Sequence, residues 1–150
     1  MLVTIDTGGT KTLVSSFDRN GKIGESIKFP TPQNPKEYIQ ILTTTVREQY
    51  AHQSVDVIVL AIPGVIRNGV VKWCSNLPWH NLDLGKELKD MLPGVTVLIE
   101  NDAKLGGLGE TRSLAKVPET ALYVTISTGI GAGLIANGRI DPGMRFSEIG

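Results

Sequence analysis

Residues 2–14 read Leu-Val-Thr-Ile-Asp-Thr-Gly-Gly-Thr-Lys-Thr-Leu-Val, and the reading of this stretch decides the fold. A short apolar run, Leu2, Val3 and Ile5, ends in the acidic Asp6. Thr7 to Thr10 make a turn of small and hydroxylated residues, and a second run begins at Thr12. The pattern predicts strand, tight glycine turn, strand. Gly8 and Gly9 lack a Cβ, which admits positive φ and lets the backbone lie close to a ligand. Successive N–H groups in such a turn form a concavity suited to phosphate oxygens. Thr7, Thr10 and Thr12 offer hydroxyls, Lys11 a positive charge, and Asp6 a carboxylate suited to holding Mg²⁺ through water. An ordinary hairpin has the same composition, so this stretch alone leaves both readings open.

A second stretch bears on the choice. Residues 123–135 read Tyr-Val-Thr-Ile-Ser-Thr-Gly-Ile-Gly-Ala-Gly-Leu-Ile. Val-Thr-Ile recurs, Thr7-Gly8 matches Thr128-Gly129, and Leu13-Val14 matches Leu134-Ile135. The same strand–turn–strand unit thus occurs twice, far apart in the chain. Two such turns in matching frames suit two loops that grip one polyphosphate from opposite sides.

The remaining sequence orders itself around these turns. Leu13, Ser15 and Phe17 alternate with Val14 and Ser16 at strand period, and Asp18-Arg19-Asn20-Gly21 is a hairpin turn. Ile23, Ile27 and Phe29 are expected on one face of a third strand. Asn34 as N-cap, Pro35 at the first helical position and Glu37 in a capping box open a helix over residues 35–50. Its apolar stripe is Tyr38, Ile39, Leu42, Val46 and Tyr50. Val55 to Ile62 is nearly all apolar, as for a strand covered on both faces, and stops at Pro63-Gly64. A small hairpin follows, turning at Arg67-Asn68-Gly69, and then a loop, Cys74-Ser75-Asn76-Leu77-Pro78-Trp79. Asp83 caps a second helix bearing Leu84, Leu88, Met91 and Leu92. Residues 95–99 are a buried strand that delivers Glu100-Asn101-Asp102-Ala103 at a strand end, where open α/β sheets bind ligands. Gly106, Gly107 and Gly109 lie in the helix after it, and close packing against a neighbour is the expected reason for them. Lys116-Val117-Pro118-Glu119 marks a domain boundary, giving one α/β domain over 1–118 and the start of another over 119–150, with a hairpin at Asn137-Gly138.

Fifteen basic and fifteen acidic residues cancel, so charge favours neither nucleic acid nor an anionic membrane as partner. The lone Cys74 allows no internal disulfide, and no apolar stretch has membrane-spanning length. These features point to a soluble protein of the reducing cytoplasm. No P-loop is present, and neither His52 nor His80 has partners at metal-ligand spacing.

Asp6-Thr7-Gly8-Gly9-Thr10-Lys11-Thr12 resembles the first phosphate loop of the ROK sugar kinases, within the actin/Hsp70/hexokinase superfamily. Ser127-Thr128-Gly129-Ile130-Gly131-Ala132-Gly133 resembles the second. The resemblance implies a ribonuclease-H-like (actin-like ATPase) α/β domain with a mixed five-stranded sheet and flanking helices, followed by the first hairpin of a second similar domain. It implies ATP and Mg²⁺ as cofactors, with Asp6, Thr7, Gly8, Gly9, Thr10, Lys11, Thr128, Gly129 and Gly131 on the phosphates and Asp6 toward the metal. Asp102, in an Asn-Asp-Ala motif, would be the base that accepts a sugar hydroxyl proton, at a helix start that favours its ionised form. A plain helix cap suits Asn-Asp equally on spacing. Gly64, Asn76, Asn101, Asp102 and Glu148 would contact the sugar. For Asn76, a surface loop anchored by Trp79 is the plainer alternative.

Two departures from the family pattern stand out. Phe146-Ser147 precedes Glu148 where Ala-Gly is usual, and Lys104-Leu105 follows Asn-Asp-Ala where Asn-Ala is common. The resemblance also implies a zinc-binding cysteine cluster downstream of residue 150, and a homodimer. The activity implied is ATP-dependent phosphorylation of a hexose, glucose or an N-acetylhexosamine, at the 6-hydroxyl. A sugar-responsive transcriptional regulator of the same family is the alternative. Such regulators carry a helix-turn-helix module before the first phosphate strand and eroded loops, whereas here that strand follows Met1 and both loops are well formed. An Hsp70- or actin-like ATPase would explain the loops but has no use for Asn76, Asn101 and Glu148.

Overall fold

The computed structural model describes residues 1–126, 129–144 and 146. The glycine turn is where the sequence puts it: β1 (Leu2–Thr7) and β2 (Lys11–Phe17) pair antiparallel around it, and β3 (Ile23–Pro30) extends the meander. Helix α1 (Pro35–Gln49) is capped by Asn34, whose side chain accepts from the N–H groups of Lys36 and Glu37. There follow β4 (Val57–Ile62), β5 (Val65–Arg67), β6 (Val70–Trp73), β7 (His80–Leu82), α2 (Leu84–Met91) and β8 (Thr96–Asn101). The last elements are α3 (Asp102–Ser113), β9 (Thr120–Ile126), β10 (Ile130–Ala136) and β11 (Arg139–Ile140). Packing divides the chain into two compact units, Met1–Glu100 and Asn101–Gly150, with α3 grouped with the strands that follow it.

The first unit is built on a mixed sheet of five strands in the order β3-β2-β1-β4-β8. β1 runs antiparallel to β2 and parallel to β4, and the start of β8 adjoins the start of β4 through a bond from the Thr96 N–H to the Asp56 carbonyl. One face is continuous across the strands. Val3 lies between Ser16 and Ile58, Ile5 between Val14 and Leu60, and all of these are buried. The apolar stripe of α1, Tyr38 to Tyr50, and Leu84 and Leu88 of α2 complete the same core. Each aliphatic side chain so enclosed contributes about 1.5–3 kcal/mol of transfer free energy. The Arg47 guanidinium, in the last turn of α1, donates to the Met91 carbonyl at the end of α2 and ties the two helices together.

Three sequence expectations change. Ile23 does not share a face with Ile27 and Phe29: the β2–β3 register passes from Ser15↔Ser26 to Phe17↔Ile23, one extra residue in β3. That bulge turns Ile23 outward, 58% exposed. β4 is fully covered on one face only, since Ile58, Leu60 and Ile62 are buried while Val57, Val59 and Ala61 are half-buried. Residues His80–Leu82, beyond the Trp79 loop, form a strand that closes a small sheet, β5-β6-β7. The Asn68-Gly69 turn of that sheet takes the paired positive φ values, 52° and 80°, that suit a two-residue hairpin.

In the second unit α3 lies on a three-stranded antiparallel sheet, β11-β10-β9. The helical glycines have the expected reason at two positions out of three. A Cβ on Gly107 would lie 2.7 Å from the Tyr123 Cβ, and one on Gly106 would touch the Tyr123 ring, but one on Gly109 would meet nothing within 4 Å among the described residues. Gly109 is therefore not a packing glycine.

Two buried phenols, Tyr38 in α1 and Tyr50 at its C-terminal cap, make opposite predictions. The Tyr38 hydroxyl is bonded to the Thr7 hydroxyl at 2.7 Å, with both residues fully buried. The Tyr50 hydroxyl, also enclosed, faces the Ser16 side chain but makes no hydrogen bond of good geometry among the described residues. Tyr38→Phe or Thr7→Val leaves one buried hydroxyl unpaired and is expected to cost about 1–3 kcal/mol, most of it recovered in the double variant. Tyr50→Phe gives up only that poorly aligned contact with Ser16 and is expected to leave the melting temperature unchanged or raised. Thermal unfolding of the four variants checks this, and additive losses in the pair would contradict it.

Candidate functional site

The first glycine turn differs in detail from its sequence reading. Neither Gly8 nor Gly9 has a positive φ. The Gly8 N–H is occupied by the Lys11 carbonyl at 2.9 Å, closing the hairpin. Two of the three threonine hydroxyls point inward: Thr7 to Tyr38, and Thr12 to the Thr31 hydroxyl at 2.9 Å. Of the expected phosphate ligands, Thr10, Lys11 and Asp6 are exposed, and Gly8 and Gly9 are half-buried. Thr7 keeps only its backbone for such a role. Burial pushes the Tyr38 phenol well above its usual range, its bond to Thr7 opposing and the nearby Asp6 charge adding to that, so the hydroxyl pair stays neutral and intact.

The need for glycine at position 9 comes from a neighbour within the protein. A Cβ there would lie 2.8 Å from the Asn76 Cβ and 2.9 Å from the Asn76 carbonyl oxygen. The turn read as a phosphate site and the loop read as a sugar site are thus in direct contact, with Asn76 itself exposed. Trp79 anchors that loop. It is 1% exposed, its ring centre lies 4.7 Å from that of Tyr38, and its indole N–H donates to the Gln33 carbonyl at 2.9 Å. The Gln33 side-chain amide in turn donates to the Gly9 carbonyl at 3.2 Å. Gly64, at φ 121°, stands at the loop's other end, where a Cβ would lie 2.1 Å from the Trp73 carbonyl oxygen, and the Cys74 thiol donates to the adjacent Pro63 carbonyl. The plainer reading of this loop and the sugar reading are compatible: Trp79 fixes it and Asn76 is presented by it.

The second unit unites the other two motifs. Asn101, not Asp102, is the N-cap of α3: its Oδ1 accepts from the Lys104 N–H at 3.0 Å, and it is 5% exposed. Asp102 is the first helical residue and half-buried. Its Oδ1 accepts from the Ala103 N–H at 2.8 Å, and its Oδ2 accepts no hydrogen bond among the described residues. The next residue packs on the second glycine turn. A Cβ on Gly131 would lie 3.0 Å from the Ala103 Cβ, and one on Gly133 2.9 Å from the Lys104 Cα and 3.1 Å from the Ala103 carbonyl oxygen. Gly131 is thus occupied by the helix, whereas a Cβ on Gly129 meets nothing within 4 Å among the described residues. The expected contacts from Thr128 and Glu148 lie outside the described residues. No group of three His, Cys, Asp or Glu side chains arranged for a metal occurs among the described residues.

The Tyr38–Thr7 hydrogen bond, the role of Gln33 and the burial of Thr7 are not readable from composition and spacing alone. For Thr7 strand parity gives the signal, since period two places Thr7 on the face of Val3 and Ile5. Nothing in one dimension marks the Gln33 bonds.

These turns and motifs belong to a recognisable lineage. The family model described as "ROK family" matches residues 2–150. The chain belongs to the ROK family. It is 25% identical over 146 residues to a glucokinase of Streptomyces coelicolor, covering 95% of this chain and 46% of that one. Identity to an N-acetylmannosamine kinase of Citrobacter koseri is 29% over 153 residues, covering 95% of this chain and 50% of the relative. The chain therefore spans about half the length of the curated relatives it matches. Among solved structures, a ROK family glucokinase from Streptomyces griseus in complex with glucose and AMPPNP superposes with a TM-score of 0.84 at 22% identity, covering 98% of this chain and 48% of that one. A ROK family transcriptional regulator, a homologue of the E. coli MLC protein, superposes with a TM-score of 0.86 at 22% identity, covering 99% and 39%. The fold is that of the ROK sugar kinases, an actin-like α/β architecture, and it is shared by kinase and regulator alike.

The glycines around this ROK helix start predict a ranking of substitution costs. Gly129→Ala is expected to leave stability within about 0.5 kcal/mol of wild type. Gly131→Ala must displace a side chain and Gly133→Ala the helix backbone, so the loss grows in that order toward the 1–3 kcal/mol typical of overpacking. Thermal unfolding of the three variants gives the ranking, and an equal loss at Gly129 would contradict it.

Proposed function

We propose that the protein carrying this chain transfers a phosphoryl group from ATP to the 6-hydroxyl of a hexose, glucose or an N-acetylhexosamine such as N-acetylmannosamine, with Asp102 as general base. The observation that carries this reading is the state of Asp102. A carboxylate that capped its helix would be committed to backbone N–H groups, but Asn101 takes that role and leaves Asp102 Oδ2 without a hydrogen bond among the described residues. Ala103, next to it, is wedged on Gly131, so the base is rigidly related to the second glycine turn. Proton removal in phosphoryl transfer needs this kind of placed acceptor, since most of the remaining catalysis is positioning and charge neutralisation.

Other roles follow from exposure. Thr10 and Lys11 in the first unit, and Gly129 in the second, are each exposed and are the groups assigned here to phosphate oxygens. Asp6 is exposed at the end of β1. A single carboxylate beside a phosphate turn fits Mg²⁺, which commonly takes one or two carboxylates and fills its shell with water and phosphate oxygens. When bound, that ion would supply charge neutralisation at the phosphates. Asn76 is the exposed polar group for a sugar hydroxyl. Asn101 is less free than its motif implied, because its Oδ1 already caps α3. A domain division at residue 118, with 119–150 opening a second domain of the same kind, belongs to the same proposal.

The regulator relative shares this fold, so fold does not discriminate; the Asp102 Oδ2, which accepts no hydrogen bond among the described residues, is what favours the kinase. With glucose or N-acetylmannosamine and Mg-ATP, release of ADP is expected to require the sugar. Asp102→Asn is expected to lower kcat roughly 10²–10⁴-fold while calorimetric sugar affinity changes little. Sugar-independent ADP release would instead indicate an ATPase, and near-normal turnover by the variant would remove Asp102 from the chemistry.

A further inference from the structure

Gln33 lies between β3 and α1, one residue before the cap Asn34, and does two things at once. Its side-chain amide donates to the Gly9 carbonyl in the first glycine turn, while its own carbonyl accepts the indole N–H of Trp79, the anchor of the Asn76 loop. Turn and loop also meet directly, with no room for even one carbon between Gly9 and Asn76. Trp79 is held by its ring contact with Tyr38, and Tyr38 by the hydroxyl of Thr7, two residues before Gly9. The contacts therefore close a ring: Gly9, Gln33, Trp79, Tyr38, Thr7 and back along the chain to Gly9. All of it lies in the first unit.

We infer that Gln33 is a positioning residue that couples the two ligand sites, so that sugar held by the Asn76 loop tightens nucleotide binding on the Gly8–Lys11 turn. The inference rests on the kinase reading above. The physical basis is steric and entropic. Asn76 and Thr10 are exposed and free to be ordered by ligands, yet each belongs to a segment that cannot move without the other. A sugar that restricts the loop restricts the turn through Gly9, and the second ligand then loses less conformational freedom on binding. By linkage, nucleotide must tighten sugar binding by the same factor. Without the Gln33 amide the turn keeps its hairpin bonds, its contact with Asn76 and the path through Thr7 and Tyr38, but loses its one hydrogen-bonded bridge through Gln33 to Trp79, so each site should still bind while the communication weakens. A residue that merely held the fold would lower both affinities together and leave their ratio alone.

The test is calorimetric titration of a non-hydrolysable Mg-ATP analogue into the protein, with and without saturating hexose. In wild type the sugar is expected to lower the nucleotide Kd about fivefold or more, the lower end of ordinary coupling factors. In Gln33→Ala that ratio is expected to fall toward one. In Gln33→Lys, which retains an N–H donor for the Gly9 carbonyl, it is expected to recover in part. Gln33 is exposed, so neither substitution empties the core. Independent binding in wild type, or an undiminished ratio in Gln33→Ala, overturns the inference. Phosphoryl transfer by wild type, measured in parallel, separates the two failures: an active enzyme with uncoupled sites sinks the coupling alone, and an inactive one sinks the kinase reading with it.

Discussion

The contact between Gly9 and Asn76 is the constraint on which the arrangement of the first unit depends. Two segments more than sixty residues apart in sequence meet there with no room for even a Cβ between them. Any side chain at position 9 would collide with loop backbone, a cost that no rotamer change relieves. Around that contact the chain supplies redundant fixing: the Gln33 amide on the turn, the Trp79 indole on the Gln33 carbonyl, and the Tyr38–Thr7 hydroxyl pair below. Each bond contributes only on the order of 1 kcal/mol. Their closure into a ring is what denies the two segments independent motion. The sheet serves this ring by placing Thr7 at the buried end of β1, where its hydroxyl meets α1.

The second unit reaches a similar result by another route. Alternate glycines of β10 share one face, and the first turn of α3 lies against them so closely that the Ala103 side chain crowds the Cβ position at Gly131 and helix backbone the one at Gly133. Glycine here serves close approach rather than unusual dihedrals, since neither Gly131 nor Gly133 has a positive φ. Asp102 therefore begins a helix whose first turn is seated directly on the strand. Rigid support of this kind is what a proton acceptor needs if its geometry is to be held before the substrate arrives.

Much of this was legible in the sequence, because it rests on short-range patterns. The strand–turn–strand units, the Asn34 and Asp83 caps and the Asn-Gly hairpins are local signals, and they stand where they were expected. What was not legible depends on where side chains point. Thr7 and Thr12 look like phosphate-binding hydroxyls by composition, but strand parity turns both toward the core. Asn101 and Asp102 are both good caps, and only the helix start distinguishes the cap from the free carboxylate. Gly129 and Gly131 read alike in a glycine-rich turn, yet among the described residues a Cβ on the first meets nothing and one on the second meets the helix. Ile23 was misassigned because a one-residue bulge inverts parity without leaving a compositional mark. Gln33 joins three segments through one amide and one carbonyl, an arrangement with no spacing rule behind it.

The most direct measurement on this account is amide hydrogen exchange of the turn at residues 8–11 and the loop at residues 74–79, with and without sugar and in the absence of nucleotide. If the two segments form one ring-closed body, they open with a common free energy. Sugar added alone should then slow exchange in the turn as well as in the loop. Protection confined to the loop, with the turn exchanging as before, would contradict the account.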